Sequence, residues 1–220
     1  MPKIVSFTTL KGGSGKSTLL MLTSAAIRNR TNYRLLVIDS DPQLSVKQIH
    51  QQEANPQSYD VFAFNWLQQN PQDYFAKVLA LAERKYDLIF MDLPPGRITD
   101  DPIMYSILAS DVLMVPVVAS TLDINATTTF LQLLPELAKE RPAGRPLEVF
   151  GVINKQDQTV EYKSLTKLAG TGGLQLFYSP LANRVRYKRG VSTWRDIADP
   201  NDKEDEFNRY FDEFRAKCFI

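Results

Sequence analysis

Six short apolar runs, separated by stretches with helical periodicity, are the feature of this sequence that most limits its fold. Several of the runs are apolar at consecutive positions and show no alternation with polar residues. Strands buried on both faces have this composition, and such strands form parallel sheets covered by helices. The runs span residues 4–8, 35–38, 88–91, 112–118, 149–153 and 174–177.

Amphipathic segments lie between the runs. Residues 71–84 and 124–139 place their apolar side chains on one helical stripe. Strands that alternate with helices imply right-handed crossovers, so we expect a doubly wound α/β fold with a mostly parallel sheet and helices on both faces. Ligands of such sheets bind at the carboxyl ends of the strands. The chain shows no internal repeat or linker, and we expect residues 1–220 to form one domain.

Composition excludes several classes of site. The 26 Lys and Arg nearly cancel the 25 Asp and Glu, which argues against a uniformly basic nucleic-acid coat but allows a local basic patch. Cys218 is the single cysteine and His50 the single histidine, so one chain cannot supply a disulfide, an iron–sulfur site or a two-histidine metal site. We expect His50 on a helix surface and Cys218 without a partner.

No targeting signal is evident in the sequence. No stretch approaches the ~18 apolar residues of a membrane span, and the first residues lack the pattern of a signal peptide. We therefore expect a cytoplasmic protein.

A glycine-rich loop follows the first apolar run and precedes a helical segment at residues 19–27. Glycines let backbone N–H groups turn inward around phosphates, and the following helix N-terminus favours anions. Lys16 would reach the β and γ phosphates, and the Ser17 hydroxyl would ligate Mg²⁺. The nucleotide-binding residues predicted in this loop are Lys11, Gly12, Gly13, Ser14, Gly15, Lys16, Ser17 and Thr18.

The loop departs from the common P-loop pattern at one end. Leu10 stands where a glycine is usual, and Lys11 precedes a glycine pair. This Lys-Gly-Gly-x-Gly-Lys-Ser pattern resembles the deviant Walker A loop of the ParA/MinD family of ATPases. The resemblance implies a P-loop NTPase fold and an ATP-dependent homodimer in which Lys11 reaches the phosphates of the partner. Lys11 and Lys16 would both act in catalysis.

Two aspartates end the second apolar run, in the sequence Asp39-Ser40-Asp41-Pro42-Gln43. Residues at that strand end face the same crevice as the phosphate loop. The pattern resembles switch I of the family. On that match Asp41 positions or polarises the attacking water and also belongs to the metal site, while Asp39 supports the Mg²⁺ shell.

The third run ends in Asp92 and has the Walker B form. Asp92 would hold a Mg²⁺-bound water, so the predicted metal residues are Ser17, Asp41 and Asp92, with the carboxylates acting through water. Residues 94–96 resemble switch II of the family. Catalysis of this kind rests on positioning and on neutralising the charge of the transferring phosphoryl group.

The nucleotide base is open to two interpretations. The run at residues 149–153 ends in Asn154-Lys155-Gln156-Asp157, a spacing that reads guanine in regulatory GTPases and makes GTP a rival. The ParA/MinD resemblance instead implies ATP, with Asn154 against adenine. A comparison of ATP and GTP affinities separates the two.

Basic and aromatic residues concentrate near the C-terminus. The resemblance implies that a cluster of cations here binds DNA without sequence preference. The alternative is a solvated helix face paired with Asp196, Asp199 and Asp202. Aromatic residues at helical spacing within residues 202–217 predict a core-packing helix, because its acidic polar face disfavours a membrane helix. The candidate DNA-binding residues are Arg184, Arg186, Lys188, Arg189 and Arg195.

Two functions follow from the resemblance. The first is a short ParA (ParF-like) ATPase without an N-terminal DNA-reading extension, which partitions a plasmid or chromosome by ATP-controlled binding to nonspecific DNA. A ParB-like or other small partner would stimulate hydrolysis, the protein would associate with the nucleoid, and no stable membrane association is expected. The alternative is a MinD-like scaffold that positions a protein cargo without binding DNA. An electron-transfer ATPase is disfavoured, since the iron-protein relatives need cluster cysteines.

Overall fold

The computed structural model describes residues 1–52, 59–118, 120–142, 145–155, 165, 168–193 and 197–218, without the side chains of residues 121–123 and 190–193. Asp157, Arg195 and Asp196, which the sequence analysis singled out, lie outside the described residues.

Seven strands form one sheet in which every pairing is parallel. Their spatial order is β3-β2-β4-β1-β5-β6-β7, so the chain winds outward in both directions from β1. All six predicted runs form strands, which confirms the expected doubly wound fold. The strands are β1 (Lys3–Phe7), β2 (Leu35–Asp39), β3 (Asp60–Ala63), β4 (Leu88–Asp92), β5 (Val112–Val117), β6 (Glu148–Ile153) and β7 (Leu174–Leu176).

Strand β3 was missed because its sequence carries a weak signal. It has only four residues and begins with exposed Asp60, as edge strands often do. It pairs with β2 alone, in a register that places Val61 beside Val37. Its position at the sheet edge comes from tertiary pairing and not from local pattern.

The described helices connect the strands. The long segments predicted from periodicity begin and end within a few residues of their expected limits, and a short 3₁₀ turn at Thr171–Gly173 precedes β7. No described helix has the length and apolar character needed to cross a membrane. The helices are α1 (Lys16–Arg30), α2 (Ser45–Gln51), α3 (Pro71–Ala82), α4 (Asp101–Ala109), α5 (Thr121–Lys139), α6 (Val185–Thr193) and α7 (Glu206–Cys218).

Successive residues of each strand enter opposite cores. Val5 and Phe90 pack with α1, α6 and α7 on one face of the sheet. Their neighbours Ile4 and Ile89 pack on the other face. There α3, α4 and α5 cover the sheet. Because both faces are buried, the strands are apolar at almost every position, which explains the absence of alternation in the sequence.

Helix α7 is the core-packing helix that the aromatic spacing predicts. Phe207, Phe211 and Phe214 are fully buried, and the hydroxyl of Tyr210 shares a 2.8 Å hydrogen bond with Thr23 on α1. Cys218 ends the helix as a buried free thiol, and burial raises its pKa to about 12. The helix therefore joins the C-terminal part of the chain to the helix that follows the phosphate loop.

The predicted surface position of His50 is wrong. Its ring is buried against that of Tyr59, with 5.1 Å between the ring centroids. Tyr59 directly precedes β3, so the contact depends on the edge strand that the sequence pattern did not reveal.

Arg141, just after α5, supplies a buried polar anchor. Its guanidinium donates to the carbonyl oxygens of Ile107 at 2.5 Å and Leu108 at 3.0 Å, at the end of α4, and to that of Ser110. A cation at a helix C-terminus is favoured by the helix dipole. Burial lowers the pKa of Arg141, so these carbonyls are its main compensation for lost hydration.

We expect Arg141→Met to destabilise the protein by about 3 kcal/mol, because buried carbonyls would lose a charged donor. Urea unfolding followed by circular dichroism measures the change. Lys139→Met removes a neighbouring cation that is 66% exposed and pairs with Glu136, and it should cost at most about 0.5 kcal/mol. Equal losses for the two variants would contradict the anchoring role.

Candidate nucleotide-binding site

The phosphate loop connects β1 to α1 at the carboxyl edge of the sheet. Gly13 and Gly15 have φ values of 87° and 88°, a left-handed conformation that glycine adopts without strain. A side chain at Gly15 would also collide with the amide of Asn154. The main-chain N–H of Leu19 donates to the carbonyl of Gly15 at 2.8 Å and so starts α1 at the end of the loop. Backbone conformation therefore favours glycine at both positions, and the close approach of Asn154 adds a space constraint at Gly15 alone.

A cavity of about 300 Å³ lies over this loop. Its walls come from the loop, from α1, from the segments after β2, β4, β6 and β7, and from α6. Besides the loop, the lining includes Thr9, Asp41, Pro95, Asn154, Lys155, Leu181, Arg184, Tyr187 and Lys188.

Lys16 and Ser17 are both anchored on Asp92. Lys16 Nζ donates to Asp92 Oδ1 at 2.6 Å, and Ser17 Oγ donates to Asp92 Oδ2 at 2.7 Å. Asp92 is fully buried at the end of β4. Burial raises its pKa, while the charge of Lys16 and the two hydrogen bonds act in the opposite direction. Lys16 and Ser17 of the phosphate loop thus contact the Walker B residue Asp92 directly, as a shared phosphate and metal site requires.

The two aspartates after β2 occupy different environments. Asp41 lies at the cavity, with Oδ2 3.7 Å from Lys16 Nζ, and its Oδ1 accepts the N–H of Gln43 at 2.9 Å. Asp39 is fully buried, and its Oδ2 accepts the N–H of Lys47 at 2.9 Å. Asp39 Oδ1 is buried without a hydrogen-bond partner within the described ranges. Burial, partly offset by the Lys47 hydrogen bond, raises the pKa of Asp39 to about 6.

The donor set around Lys16 fits a magnesium ion. Ser17, Asp41 and Asp92 offer one hydroxyl and two carboxylates, and Mg²⁺ prefers oxygen ligands with several waters retained. The Lys16 ammonium is the cation that neutralises both carboxylates in this structure. The carboxylates therefore lie where a metal–phosphate group would need them.

Asn154 and Lys155 tie the end of β6 to the phosphate loop. Asn154 Nδ2 donates to the carbonyl of Ser14 at 2.8 Å, and Lys155 Nζ donates to the carbonyl of Gly13. Lys155 has a φ of 55°, which is uncommon for a residue with a side chain. The sequence analysis placed Asn154 against the base; in this structure its amide contacts the loop at the cavity wall.

Lys11 lies at the exposed part of the loop. It lines the cavity, and its carbonyl accepts a hydrogen bond from the Thr9 hydroxyl at 3.2 Å. Gly12 and Thr18 also line the cavity. All eight residues predicted for the loop therefore lie at the same site.

The basic cluster divides into two groups. Arg184 and Arg186 pair with Glu206 and Asp205, whereas Lys188 and Arg189 are exposed on α6. The ion pairs expected in the alternative interpretation thus exist, but their carboxylates come from residues just before and at the start of α7 instead of from Asp199 or Asp202.

Tyr187 and Lys155 are site residues that the sequence analysis did not assign. Tyr187 is buried on α6, lines the cavity and donates to Glu206 Oε1 at 2.5 Å. Burial is the main reason why its pKa is raised. Lys155 follows Asn154, and Tyr187 lies between Arg186 and Lys188 in the basic stretch. Proximity to these two motifs was the sequence signal that could have identified them.

Comparison with known proteins identifies the family. Residues 5–189 match the model of the CobQ/CobB/MinD/ParA nucleotide binding domain. The chain belongs to this family. The match confirms the ParA/MinD resemblance, and nucleotide binding at the loop accords with the family's description.

Individual relatives of this ParA/MinD-family chain include the maintenance of carboxysome distribution protein A of Halothiobacillus neapolitanus. That protein is 27% identical over 218 residues, which cover 93% of this chain and 92% of the relative. A plasmid partition protein of Borrelia burgdorferi bound to AMPPNP has a TM-score of 0.72 at 17% identity, covering 100% and 98% of the two chains. An ATP complex of McdA from Cyanothece has a TM-score of 0.70 at 17% identity, covering 99% and 96%. These structures confirm the P-loop NTPase fold of the ParA/MinD type.

The raised pKa of Asp39 predicts a specific pH dependence of stability. From the ordinary pKa of 3.8 up to about 6, the folded protein holds a proton that the unfolded chain has lost, so stability falls as pH rises. Asp39→Asn cannot titrate but keeps an acceptor for Lys47. We expect it to stabilise the nucleotide-free protein by up to about 3 kcal/mol at pH 7 and little at pH 4.

Urea unfolding at pH 4 and pH 7 measures this difference. Asp73→Asn removes an exposed carboxylate on α3 and serves as the control, with little change at either pH. An Asp39→Asn protein with the same pH slope as the unaltered protein would show that Asp39 does not cause it.

Proposed function

We propose that residues 1–220 act as one ATPase domain, which binds ATP with Mg²⁺, closes into a homodimer and hydrolyses ATP to control the position of a cargo. The observation that carries this proposal is the junction of Lys16 and Ser17 with buried Asp92 beneath the glycine loop. Such a junction supplies a phosphate-binding cation and metal ligands at one point. The cytoplasm is the proposed location.

The chain's own residues divide the chemistry among them. Lys16 and the loop N–H groups bind the phosphates. Ser17, Asp41 and Asp92 would hold Mg²⁺, the carboxylates through water, and the ion would supply positive charge to neutralise the phosphoryl oxygens. Asp41 also orients the attacking water, since its carboxylate lines the cavity next to Lys16. Asp39 lies at the same strand end and supports the metal shell; its Oδ1 has no hydrogen-bond partner within the described residues.

ATP is the nucleotide that we propose, with Asn154 near adenine. Family membership and the ATP and AMPPNP complexes of structural neighbours support this choice. The Asn154-Lys155 contacts with the loop would let the occupant of the base site influence the phosphate site. GTP remains the competitor against which ATP is tested.

We further propose that Lys11 completes the site of a second protomer. Its exposed position on the loop supports a role outside its own cavity, because Lys16 already supplies the buried cation. ATP would then hold the dimer together, and hydrolysis of ATP, with Asp41 orienting the water, would separate the two protomers.

Lys11→Ala should bind ATP with about unchanged affinity and remain a monomer, whereas Asp41→Ala should stay dimeric with ATP because hydrolysis is blocked. Light scattering after size-exclusion chromatography measures the mass, and a fluorescent ATP analogue competed with ATP or GTP measures binding.

Lys16→Ala, which removes the buried phosphate-binding cation, should lose binding about 100-fold or more. A Lys11→Ala protein that still dimerises refutes the trans role, and preferential competition by GTP refutes the choice of nucleotide.

Nonspecific DNA is the surface on which we propose that the dimer acts. The exposed cations Lys188 and Arg189 on α6, together with Arg184, Arg186 and Arg195, provide the basic stretch. A homodimer would double it, and clustered cations suffice for phosphate contacts in a protein of near-zero net charge. A ParB-like or other small partner would stimulate hydrolysis, and association with the nucleoid would follow.

A cargo-positioning scaffold without DNA binding is the second candidate. The pairing of Arg184 with Glu206 and of Arg186 with Asp205 favours it, because paired arginines offer less charge to phosphates. The relative from Halothiobacillus neapolitanus is named for carboxysome distribution, which supports positioning of a protein cargo.

Retention on DNA distinguishes the two candidates. If DNA is the surface, the protein with ATP and Mg²⁺ should bind a random-sequence duplex, and raising salt from 50 to 200 mM should weaken binding by at least about tenfold. Fluorescence anisotropy of the labelled duplex measures this. Arg189→Ala should weaken binding while the ATP-dependent mass stays that of a dimer. A dimer that does not bind DNA supports the scaffold.

A further inference from the structure

Arg184 and Arg186 of the basic stretch form ion pairs with a compact acidic site, which consists of Asp205 and Glu206. Arg186 Nη1 lies 2.5 Å from Asp205 Oδ2, and Arg186 Nη2 lies 3.2 Å from Asp205 Oδ1. Arg184 Nε donates to Glu206 Oε1 at 3.2 Å. Two guanidinium groups thus face two carboxylates, and their local charges cancel. A DNA phosphate that approached these arginines would meet the carboxylates as well.

The carboxylates are fixed by α7 independently of the arginines. Asp205 precedes the helix, and its Oδ1 accepts the main-chain N–H of Phe207 at 2.8 Å. Glu206 is the first residue of α7, where the helix dipole favours a negative charge. Phe207 and Phe211 anchor the same helix in the core. The acidic site is therefore held by α7, and the basic residues of α6 lie against it.

One carboxylate oxygen connects this acidic site to the nucleotide cavity. Glu206 Oε1 accepts from Tyr187 at 2.5 Å and from Arg184 at 3.2 Å, and it lies 3.7 Å from Arg186 Nη2. Tyr187 and Arg184 also line the cavity over the phosphate loop. A nucleotide in the cavity would therefore contact the same two side chains that donate to Glu206.

The two arginines differ in how their guanidinium groups are exposed and hydrogen-bonded. Arg186 Nε is buried and has no hydrogen-bond partner within the described part of the chain, although Asp205 takes both terminal nitrogens. Arg184, by contrast, is 59% exposed and can turn toward solvent. Arg184 is therefore the arginine that a phosphate can reach first, and a guanidinium group suits a tetrahedral oxyanion such as a phosphate.

We propose that Arg184 and Arg186 form a binding site for nucleic-acid phosphates that the carboxylates of Asp205 and Glu206 cover, so that a phosphate binds there only when these ion pairs open. This inference rests on the proposed DNA-binding function and adds its control. DNA affinity then depends on the ion pairs of Arg184 and Arg186 with Glu206 and Asp205, as well as on the number of basic residues.

The test removes the covering charges without removing the arginines. Asp205→Asn combined with Glu206→Gln keeps the side-chain oxygen that caps α7, since asparagine caps helices as well as aspartate does. Asp202→Asn combined with Glu204→Gln makes the same charge change in the same segment but leaves the carboxylates on Arg184 and Arg186 in place. Binding of a labelled random-sequence duplex is measured without nucleotide and with ATP and Mg²⁺.

Without nucleotide, the Asp205/Glu206 variant should bind the duplex at least tenfold more tightly than the matched variant. The slope of log affinity against log salt should steepen by about 2, because two more phosphates are contacted at about 0.9 each. Adding Arg184→Ala and Arg186→Ala should abolish the gain. Glu206→Gln alone should give part of it, and circular dichroism confirms that each variant is folded.

Three results would overturn the proposal. They are an equal gain in the matched variant, a gain that survives loss of both arginines, and no gain in a folded Asp205/Glu206 variant. If the unaltered protein with ATP binds DNA but the variant gains nothing, the covering role fails and the proposed function stands. If the unaltered protein never binds DNA but the variant does, ATP-controlled DNA binding fails and the covered phosphate site stands.

Discussion

The buried ion pair between Lys16 and Asp92 is the interaction on which the site depends. It joins the first turn of α1 to the end of β4, with 2.6 Å between nitrogen and oxygen. A buried carboxylate of this kind is tolerated only when it is paired and hydrogen-bonded, and Asp92 receives both Lys16 and Ser17. The pair therefore fixes the start of the loop helix against the sheet and brings the charged groups of the site together.

The arrangement of the sheet explains why these groups meet. In the parallel order, β1 and β2 both flank β4, so the phosphate loop, Asp41 and Asp92 leave neighbouring strands at the same edge. Apolar residues pack above and below the strands, and Asp39 and Asp92 are buried at that edge although burial raises their pKa values. The site keeps charges in the protein interior, where they act strongly on a bound phosphate.

Charge near the C-terminus is organised as pairs and not as separate patches. Along the sequence, a basic stretch precedes an acidic one, and the formal net charge is only +1. In the fold α6 lies against the start of α7, so Arg184 and Arg186 meet Glu206 and Asp205. Contacts between these helices thus neutralise part of the basic stretch locally, while Lys188 and Arg189 are exposed on α6.

The sequence by itself determined the parallel sheet, the phosphate loop and the order of its carboxylates. Strands buried on both faces need continuous apolar runs, and a phosphate loop needs glycines and Lys16 at fixed positions, so local chemistry carried that information. Tertiary structure alone decided the edge strand at Asp60–Ala63, the burial of His50, the contact of Lys155 with the loop and the partners of the arginines. Each of these depends on residues distant in sequence, whose pairing no local period encodes.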